Sequence, residues 1–252
     1  NASIGQGSTG MTSTFDLLAM GEPLMELTER EVGGERVYRA GHGGDTSNCA
    51  VAAARHGARS AYFTALGEDS FGTSFLSLWD EEGVDRSAVL VRPNGQTGIY
   101  FVSYGPEGHA FTYRRAGSAA SLVAPDEVPL ALVGSARALH VSGISQAISS
   151  SACDATFHAI RHAREKGVRV SYDTNLRLSL WPLDRARAII HATVELADIL
   201  LPGLDDAKAL TGLEDPDAIC DRYLAMGPEI VALTLGAKGV LVATAERRQR
   251  LA

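Results

Sequence analysis

Residues 138–175, ALHVSGISQAISSSACDATFHAIRHAREKGVRVSYDTN, decide the fold. The two ends, 138–142 and 169–173, are short β-rich apolar runs, and each stops at turn residues, Gly143 in one case and Thr174-Asn175 in the other. Between them Cys153, Phe157 and Ile160 recur at helical spacing, with Asp154, Arg161 and Arg164 turned away. Alternation of this kind predicts a parallel sheet covered on both faces by helices.

The pattern continues outward from this stretch. Strands are predicted at 15–20, 60–65, 198–201, 230–235 and 239–243, and Ala186, Ile189, Ile190 and Thr193 mark another helix. The expected class is therefore α/β, a doubly wound and mostly parallel sheet. Several strands end in residues suited to a site: Gly21-Glu22, Gly67-Glu68-Asp69, Gly143 and Asp173-Thr174-Asn175. In open α/β sheets ligands gather at the carboxyl ends of the strands. Two regions depart from the alternation. Residues 36–40, and 97–104 followed by 110–114, alternate like strands without intervening helices, and the glycine–proline turn GPEGH at 105–109 makes the second pair a hairpin. A small sheet built from about 32–41 and 97–115 would serve as a lid. It would also fit a surface excursion without a role.

Composition narrows the function classes. The 252 residues suit one large α/β domain or two small ones, and 45% hydrophobic against 21% charged residues excludes global disorder. A net charge of -7 argues against nucleic acid as a partner. No apolar run approaches the ~18 residues of a membrane span, so no membrane partner is expected. Cys49, Cys153 and Cys220 lie far apart without metal-ligand spacing, which suits reduced thiols in a cytosolic protein. Residues 1–10 are small and polar and resemble a leader ahead of Met11, leaving 11–252 as one domain.

Four stretches carry candidate chemistry. Gly41-His42-Gly43-Gly44-Asp45-Thr46-Ser47-Asn48 lets the backbone approach a ligand, and Asp45, Thr46 or Ser47 is expected to cap the helix that follows. Asn48 in its first turn suits sugar hydroxyls, although a glycine-rich approach to a helix needs no ligand. Tyr113-Arg114-Arg115 sits in a strand, so one arginine turns inward, where its planar fork suits a carboxylate or phosphate. A solvated arginine pair fits the same residues. Asp173 to Trp181, DTNLRLSLW, sets a carboxylate, an amide and a guanidinium just past a strand end. Thr234-Leu235-Gly236-Ala237-Lys238-Gly239 lacks the Walker A pattern and reads as a hairpin turn whose amides suit a nucleotide phosphate.

In this order these stretches resemble the ribokinase-like (PfkB) carbohydrate kinases from about Phe15 onward. Gly21-Glu22-Pro23-Leu24, the YRRAGSAA stretch from Tyr113 to Ala120, Val141-Ser142-Gly143-Ile144-Ser145 and residues 173–181 look most like the members that phosphorylate 2-keto-3-deoxygluconate. The resemblance implies a sugar-acid kinase using ATP and Mg²⁺, and the exposed edges of the lid strands suit a homo-oligomer paired through the lid. It implies that Gly43, Gly44 and Asn48 bind the sugar acid and that Tyr100, Tyr113, Arg114 and Arg115 close over it. Arg177 would meet its carboxylate or the transferring phosphate, and Arg115 and Arg177 together would clamp the anion. Asn175, Leu176 and Arg177, with Thr234, Leu235, Gly236, Ala237, Lys238 and Gly239, would hold ATP. A fructokinase or ribokinase, or a non-catalytic sugar-acid-binding protein, remains the alternative.

Two departures qualify the resemblance. Where the family carries Asn-x-x-Glu before Leu-Thr-Gly, this chain has Gly203 and Asp206, leaving Asp206 to hold magnesium through water. The family's Gly-Ala-Gly-Asp signature, with its catalytic Asp and anion hole, is expected beyond Ala252. A positioned base is worth about 10²–10⁴ in rate, so the resemblance implies that residues 1–252 alone are nearly inactive and lack the C-terminal part of the fold.

Overall fold

The computed structural model describes residues 14–105 and 108–251. The leader expected at 1–10 lies outside them, as do Pro106 and Glu107 of the expected hairpin turn.

The first strand, β1 (Leu17–Met20), sends Leu18 and Met20 to one core and Ala19 to another, because successive strand side chains alternate. The chain then leaves the sheet for a long antiparallel hairpin, β2 (Leu24–Val32) and β3 (Glu35–Gly43). Next come α1 (Asp45–Arg55), β4 (Ser60–Phe63), β5 (Ala65–Gly67) and α2 (Ser70–Glu81). Asp69 caps α2 by accepting from the Gly72 N–H at 2.7 Å. The expected side-chain cap of α1 is absent, and Gly44 is its N-cap. Two of the candidate caps are engaged elsewhere: Thr46 Oγ1 lies 3.0 Å from the Tyr62 hydroxyl, and Ser47 accepts from Trp79 Nε1 at 3.0 Å.

After β6 (Leu90–Arg92), β7 (Gly98–Gly105) and β8 (Gly108–Arg114) pair antiparallel as the predicted hairpin. The second half alternates as expected: α3 (Leu130–Ser135), β9 (Ala138–Ser142), α4 (Gly143–Ala147), α5 (Ser150–Glu165), β10 (Arg169–Asp173), α6 (Leu183–Val194) and β11 (Ile199–Leu201). It ends with α7 (Leu204–Thr211), α8 (Pro216–Leu224), β12 (Ile230–Thr234), β13 (Val240–Ala243) and β14 (Arg248–Leu251). No helix among the described residues is long and apolar enough to cross a membrane.

The main sheet has the order β14-β13-β12-β11-β10-β9-β1-β4, parallel from β4 to β12 and antiparallel beyond. Ile160, Tyr172, Ile190, Leu200 and Tyr223 fill the core beneath α5, α6 and α8. Tyr62, Leu66, Phe75 and Trp79 fill the other, under α1 and α2. The chain winds from β1 out to β4 and returns to β9 on the far side of β1. That reversal opens a crevice between the ends of β1 and β9, the place where doubly wound sheets bind ligands.

The second sheet has the order β3-β2-β7-β8, with β2 and β7 parallel. It therefore draws on 24–43 and 98–114, more than the 32–41 and 97–115 expected. The strand the sequence hides is β2: Glu29-Arg30-Glu31 carry its outer half, and charged residues are poor strand signals. They are tolerated because the hairpin projects, with β8 exposed throughout.

Candidate active site

Glu22 follows β1 directly at the crevice, and its side chain is fully buried. One carboxylate oxygen accepts from Arg115 Nε at 2.8 Å and from Nη2, and the other accepts from the Ser118 hydroxyl. Burial pushes the Glu22 carboxyl up from its ordinary range, and the Arg115 charge pulls against it. Of the two adjacent arginines, Arg115 turns inward as predicted, while Arg114 is exposed and donates to the Tyr113 carbonyl at 3.1 Å. The Arg115 guanidinium carbon stands 5.6 Å from the Tyr113 ring centroid. Tyr113 stacks on Tyr100 at 5.7 Å, and the Tyr100 hydroxyl donates to Glu26. Tyr100 stands directly over Gly43, where a Cβ would come within 2.8 Å of its hydroxyl.

Asp45 opens α1 and crosses the crevice: it accepts from the Ser142 hydroxyl and from Asn175 Nδ2, the latter at 2.8 Å. Asn48, one turn into α1, is exposed. Asn175 is the only non-glycine among the described residues with a left-handed backbone, φ 33°. Its N–H donates to Asp173 Oδ1 at 3.0 Å, and the Leu176 N–H donates to Asp206 Oδ2 at 3.0 Å. The loop after β10 is thus held from α1 on one side and α7 on the other. Arg177 extends from it, exposed, with Nη1 donating to the Leu176 carbonyl at 2.8 Å.

One expectation changes: Arg115 and Arg177 do not meet on a shared acceptor; a buried guanidinium needs a counter-charge, and Arg115 finds it in Glu22. The Asn175 amide is bonded to Asp45 at the start of α1. The Leu176 side chain is buried and its N–H donates to Asp206. Around Asp206, as elsewhere among the described residues, no cluster of three or more His, Cys, Asp or Glu side chains suits a metal ion.

The connection from Thr234 to Gly239 is a hairpin turn between β12 and β13, with Leu235 N–H donating to the Gly239 carbonyl at 2.7 Å. Gly236 and Gly239 adopt φ 60° and 85°, and Thr234, Gly236, Ala237 and Lys238 are exposed. Nothing lies within 4 Å of the place a Cβ on Gly236 would occupy, so the turn offers an open face of backbone.

Sequence reasoning passed over Glu26 and Ser142 as functional groups. Glu22 was visible as a strand-end residue suited to a site, but its partner lies 93 residues away.

Asp173 carries the clearest pH signature. Burial, reinforced by the Asp45 charge, pushes its carboxyl from 3.8 to about 7. Between those values the folded state binds a proton that the unfolded state has lost, so this group's contribution to stability falls as pH rises. Asp173→Asn is therefore expected to gain unfolding free energy relative to the parent on going from about pH 5 to pH 8, by a few kcal/mol at about 1.4 kcal/mol per pKa unit. Parallel stability–pH curves for the two proteins would refute it.

An α/β crevice with a stacked tyrosine pair, a guanidinium and an open amide turn along one sheet edge suits a polyol and a phosphate donor, and similarity to known proteins agrees. The family model described as pfkB family carbohydrate kinase matches residues 16–251. The 2-dehydro-3-deoxygluconokinase of Thermoproteus tenax is 36% identical over 245 residues, covering 94% of this chain and 74% of that protein. Fructokinase-2 of Solanum habrochaites is 30% identical over 240 residues, covering 91% and 72%. The crystal structure of a PfkB protein from Polaromonas sp. JS666 superimposes with a TM-score of 0.88 at 30% identity, covering 95% of this chain and 82% of that one. With a family match over nearly the whole described chain and the same fold in a solved structure, this chain belongs to the pfkB family of carbohydrate kinases.

Proposed function

We propose that the protein phosphorylates 2-keto-3-deoxygluconate at its terminal hydroxyl, with ATP as donor and Mg²⁺ at the phosphates. The observation that carries this reading is Arg115: a guanidinium almost wholly buried at the root of the small sheet, against Tyr113 of the Tyr100–Tyr113 stack. Glu22 supplies the counter-charge for this burial and takes one edge of the fork, and the Nη1 side left over suits a substrate carboxylate, which a neutral sugar lacks. In this reading the small sheet is a lid, Asn48 meets sugar hydroxyls, Arg114 lines the rim, and Arg177 meets the carboxylate or the transferring phosphate. The greater identity to the 2-dehydro-3-deoxygluconokinase than to the fructokinase supports it.

The open turn from Thr234 to Gly239 fits a nucleotide, because its backbone faces outward with no side chain across Gly236. ATP bound there supplies the phosphoryl group. The loop Asp173–Arg177 positions Arg177 between nucleotide and sugar, and catalysis of such transfer is mostly positioning and charge stabilisation. For Mg²⁺, Asp206 would hold the ion through water: its Oδ2 accepts the Leu176 N–H, and its other oxygen is left to face a hydrated ion that would offset charge on the phosphates. The exposed Val37, Tyr38 and Phe111 of the small sheet suit pairing with a second copy, and a monomer in sedimentation would overturn that.

One observation favours the fructokinase reading. Glu22 neutralises Arg115, so the buried pair as a whole carries no net charge. Coupled-assay kinetics on the full-length protein separate the two. The expected result is a higher kcat/KM for the keto-deoxy acid than for fructose or ribose. Arg177→Ala should lower it about 10- to 100-fold for the acid, the worth of a charge-assisted hydrogen bond, and much less for a neutral sugar. Equal or better turnover of fructose would defeat the substrate assignment.

A further inference from the structure

Glu22 belongs to no strand or helix, yet three segments converge on its carboxylate. It lies in the turn where the chain leaves β1 for β2. Arg115, on one oxygen, is the residue immediately after β8, and Ser118, on the other, lies in the connection beyond it. The first residue of β7 presses on the same group, since a Cβ on Gly98 would come within 2.8 Å of Glu22 Oε1. Both roots of the β7–β8 hairpin therefore meet one buried carboxylate.

The guanidinium carries five N–H donors in a rigid fork. Glu22 takes the edge formed by Nε and Nη2. Nη1 makes no hydrogen bond among the described residues and is not sealed from solvent. An arginine without such a grip has four side-chain torsions to settle before it can bind, whereas one held along an edge presents its remaining donors in one direction.

We propose that Glu22 is a positioning residue for the sugar site: by gripping one edge of Arg115 it aims the Nη1 side at the substrate carboxylate, and by holding both roots of the hairpin it ties Tyr100 and Tyr113 to the same placement. This rests on Arg115 being the contact for the acid.

The test is steady-state kinetics of the full-length protein with Glu22→Gln and Arg115→Met. Glu22→Gln, which keeps the size and one acceptor, is expected to raise KM for the acid about tenfold while kcat and KM for ATP stay within about threefold, the signature of lost uniform binding. A purely structural role would lower kcat for every substrate and leave that KM alone, and this result overturns the proposal. If Arg115→Met raises KM for the acid and Glu22→Gln does not, the proposal fails while the assignment of Arg115 stands. If Arg115→Met leaves that KM unchanged, the assignment fails and takes the proposal with it. Should Glu22→Gln not fold, Ser118→Ala removes one donor to the carboxylate, along with the longer 3.3 Å bond from the Ser121 N–H, and is expected to raise the same KM about threefold; no rise overturns the proposal.

Discussion

Arg115→Met is expected to cost about 3–5 kcal/mol of stability, because it strands a carboxylate that has no exposed surface. For a chain of 252 residues that is roughly a 10 °C fall in melting temperature. The loss should depend on pH in a definite direction. Burial already pushes Glu22 up, and the Arg115 charge is the largest influence opposing it. Without the guanidinium the folded state takes up a proton that the unfolded state, with its carboxyl near 4.5, has released. The deficit against the parent therefore grows as pH rises above that value and shrinks on acidification. Denaturant titrations at about pH 5 and pH 8 read this directly. A deficit under about 1 kcal/mol at both would mean that water, not Arg115, compensates the carboxylate, and the account of the pair would be wrong.

The second large effect is Gly44→Ala. Gly44 holds φ 104°, a conformation closed to residues with a side chain except at a cost of about 1–3 kcal/mol. Space forbids the change as well: a Cβ there would lie 2.6 Å from the Glu22 carbonyl oxygen and 2.8 Å from Pro23 Cα. Both neighbours are backbone, at the root of β2, and neither can swing aside. The substitution must push α1 away from the turn after β1, and Asp45 with it from Ser142 and Asn175. Loss of about 4 kcal/mol or more is expected, with poor soluble yield and sugar affinity too weak to measure in what remains. A variant melting within about 3 °C of the parent would show that the turn is looser than its geometry says.

Much of the architecture was legible because its signals are local. The strands β9 and β10 begin and end where the apolar runs of 138–142 and 169–173 do. The hairpin β7–β8 was legible for the same reason, from alternation on both sides of a glycine–proline turn. What escaped was set by partners distant in sequence. β2 reads poorly as a strand because its charged outer half has water, not a core, as its neighbour. Asp45 reads as a helix cap, yet its carboxylate is drawn to Ser142 and Asn175, groups that only the sheet order brings near. One inward arginine is expected of the pair, but Arg115 lies just past β8, whose own residues are all exposed, so neither its burial nor its destination follows from strand alternation. A sequence shows that a buried arginine needs an acid somewhere, and only the crossing of β1 with the end of β8 shows that the acid is Glu22.

The parallel pairing of β2 with β7 has a consequence for how the molecule is assembled. Glu26 and Tyr100, neighbours across that pair, stand 74 residues apart in the chain. Such a contact closes a long loop before it returns any stabilisation, and pairings of that kind form late. Joining the two hairpins of the small sheet therefore waits on that closure, as the pairing of β1 with β9 does for Leu18 and Leu139. For the same reason the small sheet cannot be transplanted as a single cassette: a graft has to carry two inserts, cut at both ends, together with the scaffold that spaces them.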